Sequence, residues 1–255
     1  MKKFLIGIMS ICLCFFTIFG VACSSKKSED ALEDGVLTIG YTIYPPMNYY
    51  EGAEFVGFDT ELAKEVGKIL GVEVEFVEIN WDNKVISLNS KEIDAVWNGM
   101  TITDELKDVM AISDTYLNNK QVIVCQKTVV ENYKTKEDIF KASEVLVESG
   151  SAGESAVTSV GATPTTMSAQ KDTLLEVKTS SSKIAIIDKN MAEALVGDGT
   201  SYADLTFIDV GFENEEFGIG FRKNDTNTRD KVNDAIKQLK ENGTFDVLKK
   251  KYFGA

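Results

Sequence analysis

Two hydrophobic periods alternate along this chain, and their order leaves few architectures open. Val36-Leu37-Thr38-Ile39-Gly40 is a short apolar run that reads as a strand. A loop stiffened by Pro45 and Pro46 follows. Residues 59–71 carry Leu62, Val66, Ile69 and Leu70 at helical spacing, with Asp59 expected as N-cap and Gly71 as the stop. Residues 72–77 alternate as a second strand, 83–89 form a short helix, and 93–97 a third strand. The resulting βαβαβ order predicts an α/β fold with parallel strands wrapped by helices. A second series starts near Gln121. Val145-Leu146-Val147 is a strand, Gly150-Ser151-Ala152-Gly153 turns into a helix, and Lys183-Ile184-Ala185-Ile186-Ile187 is a strand ending at Asp188. Residues 217–221 return as a strand. A helix over 226–242, with Val232, Ile236 and Leu239 inward and Gly243 as its stop, closes the chain. The two halves show no sequence self-similarity, so the repetition is architectural.

The N-terminus has a different character. Lys2 and Lys3 precede an apolar run from Phe4 to Phe19, then Gly20-Val21-Ala22-Cys23. A basic start, a short apolar run and small residues at its end mark a secretory signal rather than a membrane span. The junction resembles a bacterial lipoprotein lipobox, with Gly20 where leucine is usual. That resemblance implies a signal peptide over 1–22, acylation of Cys23 by palmitate or a similar chain, and an extracytoplasmic protein held to the membrane by lipid. An ordinary signal with an incidental cysteine is the alternative. Residues 23–35, rich in Ser, Lys, Asp and Glu, read as a flexible tether.

The chain carries a formal charge of −13, and losing residues 1–22 removes two lysines and no acids, giving −15. Such a chain repels nucleic acid and anionic headgroups. About 230 residues remain, enough for one large domain or two lobes. Cys12 and Cys14 leave with the signal and Cys23 takes lipid, so Cys125 stands alone and no disulfide framework is possible. Within Gln121-Val122-Ile123-Val124-Cys125 it reads as a buried, inert thiol. The absence of histidine removes the commonest general base, the Ser-His-Asp and Cys-His arrangements, and histidine-ligated zinc. No cofactor, metal or catalytic residue is expected.

Three segments carry a family resemblance. Gly57-Phe58-Asp59-Thr60-Glu61-Leu62, Asp94-Ala95-Val96-Trp97-Asn98-Gly99-Met100-Thr101-Ile102-Thr103-Asp104-Glu105 and Glu216-Phe217-Gly218-Ile219-Gly220-Phe221-Arg222-Lys223 resemble elements of family 3 solute-binding proteins, the amino-acid receptors of ABC importers. The resemblance implies a two-lobe, type II periplasmic-binding-protein-like fold with the ligand in the cleft between lobes. It places lobe one at 36–115 plus 219–255, lobe two at 121–213, and hinge crossings at 116–120 and 214–218. Open α/β sheets place ligands at the carboxyl ends of their strands.

Residue by residue, the match implies that Tyr44 and Trp81 hold the ligand's aliphatic or planar part, although either also fits a core. Gly99 and Thr101 meet its polar ends, with Asn98 beside them, while Trp97 points the other way into the core. In lobe two, Ser151 and Ala152 offer backbone donors at a helix N-terminus. Asp188 receives an ammonium group, unless it only caps a helix, and Glu148 adds a second acid. Leu106 departs from the pattern, because the family carries an arginine there that grips a carboxylate through two parallel hydrogen bonds. Lys107 is rotated by about 100° along a helix and points away. Charge-assisted hydrogen bonds contribute about 1.5 to 3 kcal/mol, so a free carboxylate loses roughly ten- to a hundred-fold in affinity. This favours a solute that keeps an amine and lacks or masks its acid.

The implied function is delivery of a small amine-bearing solute to an ABC permease by cleft closure, carried out by a monomer. The alternatives are a dehydratase-like enzyme with Glu148 as acid, or a sensory or adhesive receptor with a drifted pocket. The anchor has a direct test in cell fractionation. Cys23→Ser protein is expected in the aqueous fraction or as unprocessed precursor, and mature, membrane-bound Cys23→Ser protein overturns the lipobox reading.

Overall fold

The computed structural model describes residues 31–254; the segment read as a signal peptide, Cys23 and the start of the expected tether lie outside them. Among these residues twelve strands and eight α-helices follow in an order that begins β1 (Val36–Tyr41), β2 (Tyr49–Glu51), β3 (Glu54–Val56), α1 (Phe58–Leu70), β4 (Glu73–Glu78), α2 (Lys84–Asn89), β5 (Ala95–Thr101), α3 (Asp104–Val109), β6 (Met110–Ile112) and β7 (Leu117–Gln126). The chain continues with β8 (Glu144–Glu148), α4 (Ala152–Ser159), β9 (Thr165–Met167), α5 (Gln170–Thr179), β10 (Lys183–Asp188), α6 (Lys189–Leu195), β11 (Leu205–Ile208), β12 (Asn214–Arg222), α7 (Thr226–Glu241) and α8 (Thr244–Phe253).

The strands gather into two lobes. In the first, β1 lies parallel between β4 and β5, and β12 runs antiparallel to β5 and β6. In the second, β10 and β9 flank β8 in parallel, while β7 runs antiparallel to β10 and β11. Two long strands belong to both. The start of β7 pairs with the start of β12, from Leu117 opposite Phe217 to Lys120 opposite Asn214, and each strand then continues into a different sheet. Helices cover both sheet faces, which is why β1, β5, β8 and β10 are apolar almost throughout.

Helix α1 forms where its apolar spacing predicts, buries Leu62, Ala63 and Val66, and ends at Gly71, whose N–H donates to the Gly67 carbonyl. Its start differs from expectation. The N-cap is Gly57, at φ 130°, where a Cβ would lie 2.0 Å from the Met47 carbonyl oxygen. Asp59 sits inside the first turn with its carboxylate turned inward, accepting from the Gly99 N–H at 2.8 Å and the Tyr116 hydroxyl at 2.9 Å. The third strand also begins later than expected. Asp94 is held at its mouth, accepting from the Thr38 N–H at 3.1 Å and from Arg222 Nη2 at 3.1 Å.

The tether also ends sooner than its composition suggests. Residues 31–34 form a turn, Ala31 is buried, and Leu32 packs on the first lobe. Gly243 does not end the chain's structure either, because α8 follows and buries Phe245 and Leu248. The reason lies in Phe58, whose ring meets Phe245 at 5.5 Å and Phe253 at 5.3 Å edge-on, and stacks near Tyr116 at 6.4 Å. Trp97 and Cys125 are fully buried, as expected.

Phe58 therefore joins α1, α8 and the segment entering β7. Truncating a fully buried phenylalanine typically costs about 3–5 kcal/mol, so Phe58→Ala is expected to lower unfolding free energy by that amount in urea titration. A loss under about 1 kcal/mol means α8 contributes little to the lobe.

Candidate functional site

The carboxyl ends of β1, β5, β8 and β10 face the seam between the lobes, and a cavity of about 350 Å³ opens there. Trp81, Lys84, Gly99, Thr101 and Leu106 line it from the first lobe; Glu148, Ser151, Ala152, Gln170 and Asp188 line it from the second. Seven of the nine ligand-contact positions read from the sequence thus share one wall. Tyr44 and Asn98 are the exceptions. Asn98 donates to the Thr42 carbonyl at 2.9 Å and to Asn48 Oδ1 at 2.7 Å, and accepts from the Thr42 N–H and hydroxyl. Its side chain is spent on holding the loop after β1. Tyr44 is buried against Gly99, where a Cβ would lie 2.8 Å from the tyrosine ring. Gly99 itself sits at φ 58°, so a side chain there is disfavoured twice.

Asp188 ends β10 and precedes α6, yet its carboxylate does not cap that helix. It accepts instead from three side-chain amides: Gln121 at 2.8 Å, Gln170 at 2.7 Å, and Asn119. Gln170 also accepts from the Asp188 N–H at 2.8 Å, locking strand end to helix start. Glu215 on β12 shares two of these donors, accepting from Asn119 and Gln121 at 2.9 Å each and from the Thr101 hydroxyl at 3.1 Å. The Glu148 Oε1, Gln121 Oε1 and Tyr44 hydroxyl oxygens are buried with no hydrogen-bond partner.

Crowding carboxylates out of water raises their pKa values. Burial, reinforced by the charge of Asp188, pushes Glu148 up to about 8 and Glu215 up to about 7. Asp188 is also raised by burial, against the lowering effect of its amide donors. Burial pushes Asp59 up to about 7 despite its two donors. Lys84 is the cation on this wall, and burial lowers its pKa. Its ammonium donates to the Trp81 carbonyl at 3.2 Å and, across the seam, to the Gly150 carbonyl at 2.9 Å, and lies 5.0 Å from the Trp81 ring centre. Leu106, in α3, presents no donor to the cavity. Lys107 is exposed and paired with Asp104 at 3.0 Å, as the helical rotation predicts.

Lys84, Asn119, Gln121, Gln170 and Glu215 were not among the site residues read from the sequence. Gln121 carried one usable signal, a polar residue directly before the apolar run Val122-Ile123-Val124-Cys125. The site as built is a pair of linked carboxylates clamped by neutral amides, with a third acid beside them and acceptors to spare. It suits a compact ligand rich in N–H donors. Among the described residues, no His, Cys, Asp and Glu grouping is arranged to hold a metal ion.

These raised pKa values set a sign for stability against pH. The unfolded chain releases its carboxyl protons near the ordinary value, whereas the folded protein keeps those on Glu148, Glu215 and Asp59 to about pH 7–8. Between those limits the folded state binds more protons, so stability falls as pH rises through the window. Thermal melts of ligand-free protein are expected to lose midpoint between about pH 5 and pH 8, with Glu148→Gln flattening the loss. A parent midpoint that holds or rises across that range, or a variant that tracks the parent, overturns the assignment.

Residues 37–255 match the bacterial extracellular solute-binding proteins, family 3. The arginine-binding extracellular protein ArtP of Bacillus subtilis is 31% identical, over 99% of this chain and 98% of that protein. A crystal structure of a mutant of ArgBP from T. maritima is 35% identical with a TM-score of 0.80, covering 87% of this chain and 96% of that one. A structure of an ancestral amino-acid-binding protein, a precursor of cyclohexadienyl dehydratase, is 31% identical with a TM-score of 0.78, covering 87% and 97%. Other relatives are named for L-cystine, histidine and glutamine. With the match spanning nearly all of the described residues and the two-lobe fold in common, the chain belongs to the bacterial extracellular solute-binding proteins, family 3.

Proposed function

We propose that this protein captures a small amine-bearing solute, an amino acid or a derivative of one, outside the cytoplasm and delivers it to the permease of an ABC importer. The observation that carries the reading is the cavity of about 350 Å³ walled by both lobes. That volume suits a small solute, and the buried acids Glu148 and Asp188 suit its ammonium group. Trp81, Gly99, Thr101, Glu148, Ser151, Ala152 and Asp188 are the proposed contacts, with Tyr44 and Asn98 supporting the wall from behind. The relatives reported above are named for binding, and no chemical step on the solute belongs to this reading. Anchoring through Cys23 keeps the receptor beside its permease, and each receptor acts as a monomer.

Capture works by closure. Ligand contacts made to both lobes stabilise the closed form over the open one by the difference in affinity between the two. The moving bodies are 36–115 plus 219–255 and 121–213, and the hinges are 116–120 and 214–218. The paired starts of β7 and β12 support this division, because among the described residues the backbone passes between the two lobes only there.

A thermal-shift panel of amino acids, amides and amines identifies a ligand, and solution scattering with hydrogen exchange then tests closure. The expected result is a smaller radius of gyration and added protection at 116–120 and 214–218. A verified, saturating ligand that changes neither observable overturns capture by closure.

A further inference from the structure

The charge complement of the cavity is one-sided. Glu148 and Asp188 stand on its wall, and Glu215 is tied to Asp188 through the shared amides of Asn119 and Gln121. Against them the wall holds one buried cation, Lys84, whose ammonium already serves the Trp81 and Gly150 carbonyls. Glu148 is 4% exposed and its Oε1 has no partner, and the buried Gln121 Oε1 is likewise unpaired. A buried polar atom left unpaired costs about 1–3 kcal/mol, so the Glu148 oxygen, on the cavity lining, marks where a ligand's donor belongs.

A zwitterion fits this balance poorly. It brings no net charge to favour ionisation of Glu148 and Asp188, as a net cation does, and its carboxylate has to share a small space with those two acids while Leu106 offers it only carbon. The N-terminus of α4 at Ser151 and Ala152 contributes backbone dipoles to the same wall. Such donors suit a neutral carbonyl oxygen as well as a charged one. We infer that the solute is a net cation without a free carboxylate, an amine or guanidine carried on an amide, an ester or a decarboxylated chain. Glu148 and Asp188 both receive its N–H groups, and Leu106 is the specificity-determining position. This narrows the solute of the proposed transport function and rests on that function.

Calorimetry on the parent protein tests it with two matched series, L-arginine, L-argininamide and agmatine, and L-lysine, L-lysinamide and cadaverine. In at least one series the amide and the decarboxylated amine are expected to bind at least as tightly as the free acid. Leu106→Arg is expected to reverse that order by about ten-fold or more in favour of the acid. A free amino acid that binds the parent about ten-fold or more tighter than both its counterparts overturns the inference while leaving solute capture intact. Binding of neither series overturns it as well, and closure on an uncharged solute from the thermal-shift panel then separates that failure from a failure of the transport reading.

Discussion

The Asp188 carboxylate is out of water at the meeting point of the two lobes, and three side-chain amides hold it there. Removing an ionised carboxylate from water costs several kcal/mol, and hydrogen bonds to a charged group return about 1.5–3 kcal/mol each. Three amides thus offset much of the penalty without introducing a cation. The donors come from different places: Asn119 and Gln121 from β7, and Gln170 from the start of α5. Gln121 reaches Asp188 because the antiparallel register of β7 and β10 sets the two residues opposite each other. Slipping that register by one residue turns every side chain of β7 to the other face, which breaks the clamp and exposes the apolar run that follows it.

The same amides bind Glu215 on β12, so one small network ties both long strands to the acidic end of the cavity. Lys84 adds a contact of another kind, from α2 in the first lobe to Gly150 in the second. There the lobes are packed closely enough that a Cβ on Gly150 would lie 2.8 Å from Asp82 Cα. The seam therefore holds direct bonds of its own beside the cavity.

What the sequence showed was what neighbours along the chain determine. The strands β1, β8 and β10 and the helices α1 and α7 follow from hydrophobic period, and Gly71 from its position after it. Asp59 looked like a cap because the residues on either side allow one, and only its distant partners Gly99 and Tyr116 turn it inward. The amide clamp was hidden for the same reason, since Asn119, Gln170 and Glu215 resemble surface residues until β7, β10 and β12 are laid together, and Gln121 shows only its place before an apolar run. Helix α8 was lost to a true stop signal: Gly243 does end α7, and the packing of Phe245 and Phe253 on Phe58 starts another helix at once. Leu106 was legible from the departure it makes, because an apolar residue in a segment otherwise matched stands out without coordinates.

Cys125 lies on β7 in the second lobe, fully buried, with burial alone pushing its thiol up to about 11. Thiol–disulfide exchange runs through an accessible thiolate, and this sulfur is neither. Among the described residues the fold thus holds no thiol that responds to the redox poise around it. Among the described residues no other cysteine competes, so a cysteine placed on the rim of either lobe would be the single reactive thiol there, ready to carry an environment-sensitive dye that reports the approach of the two walls.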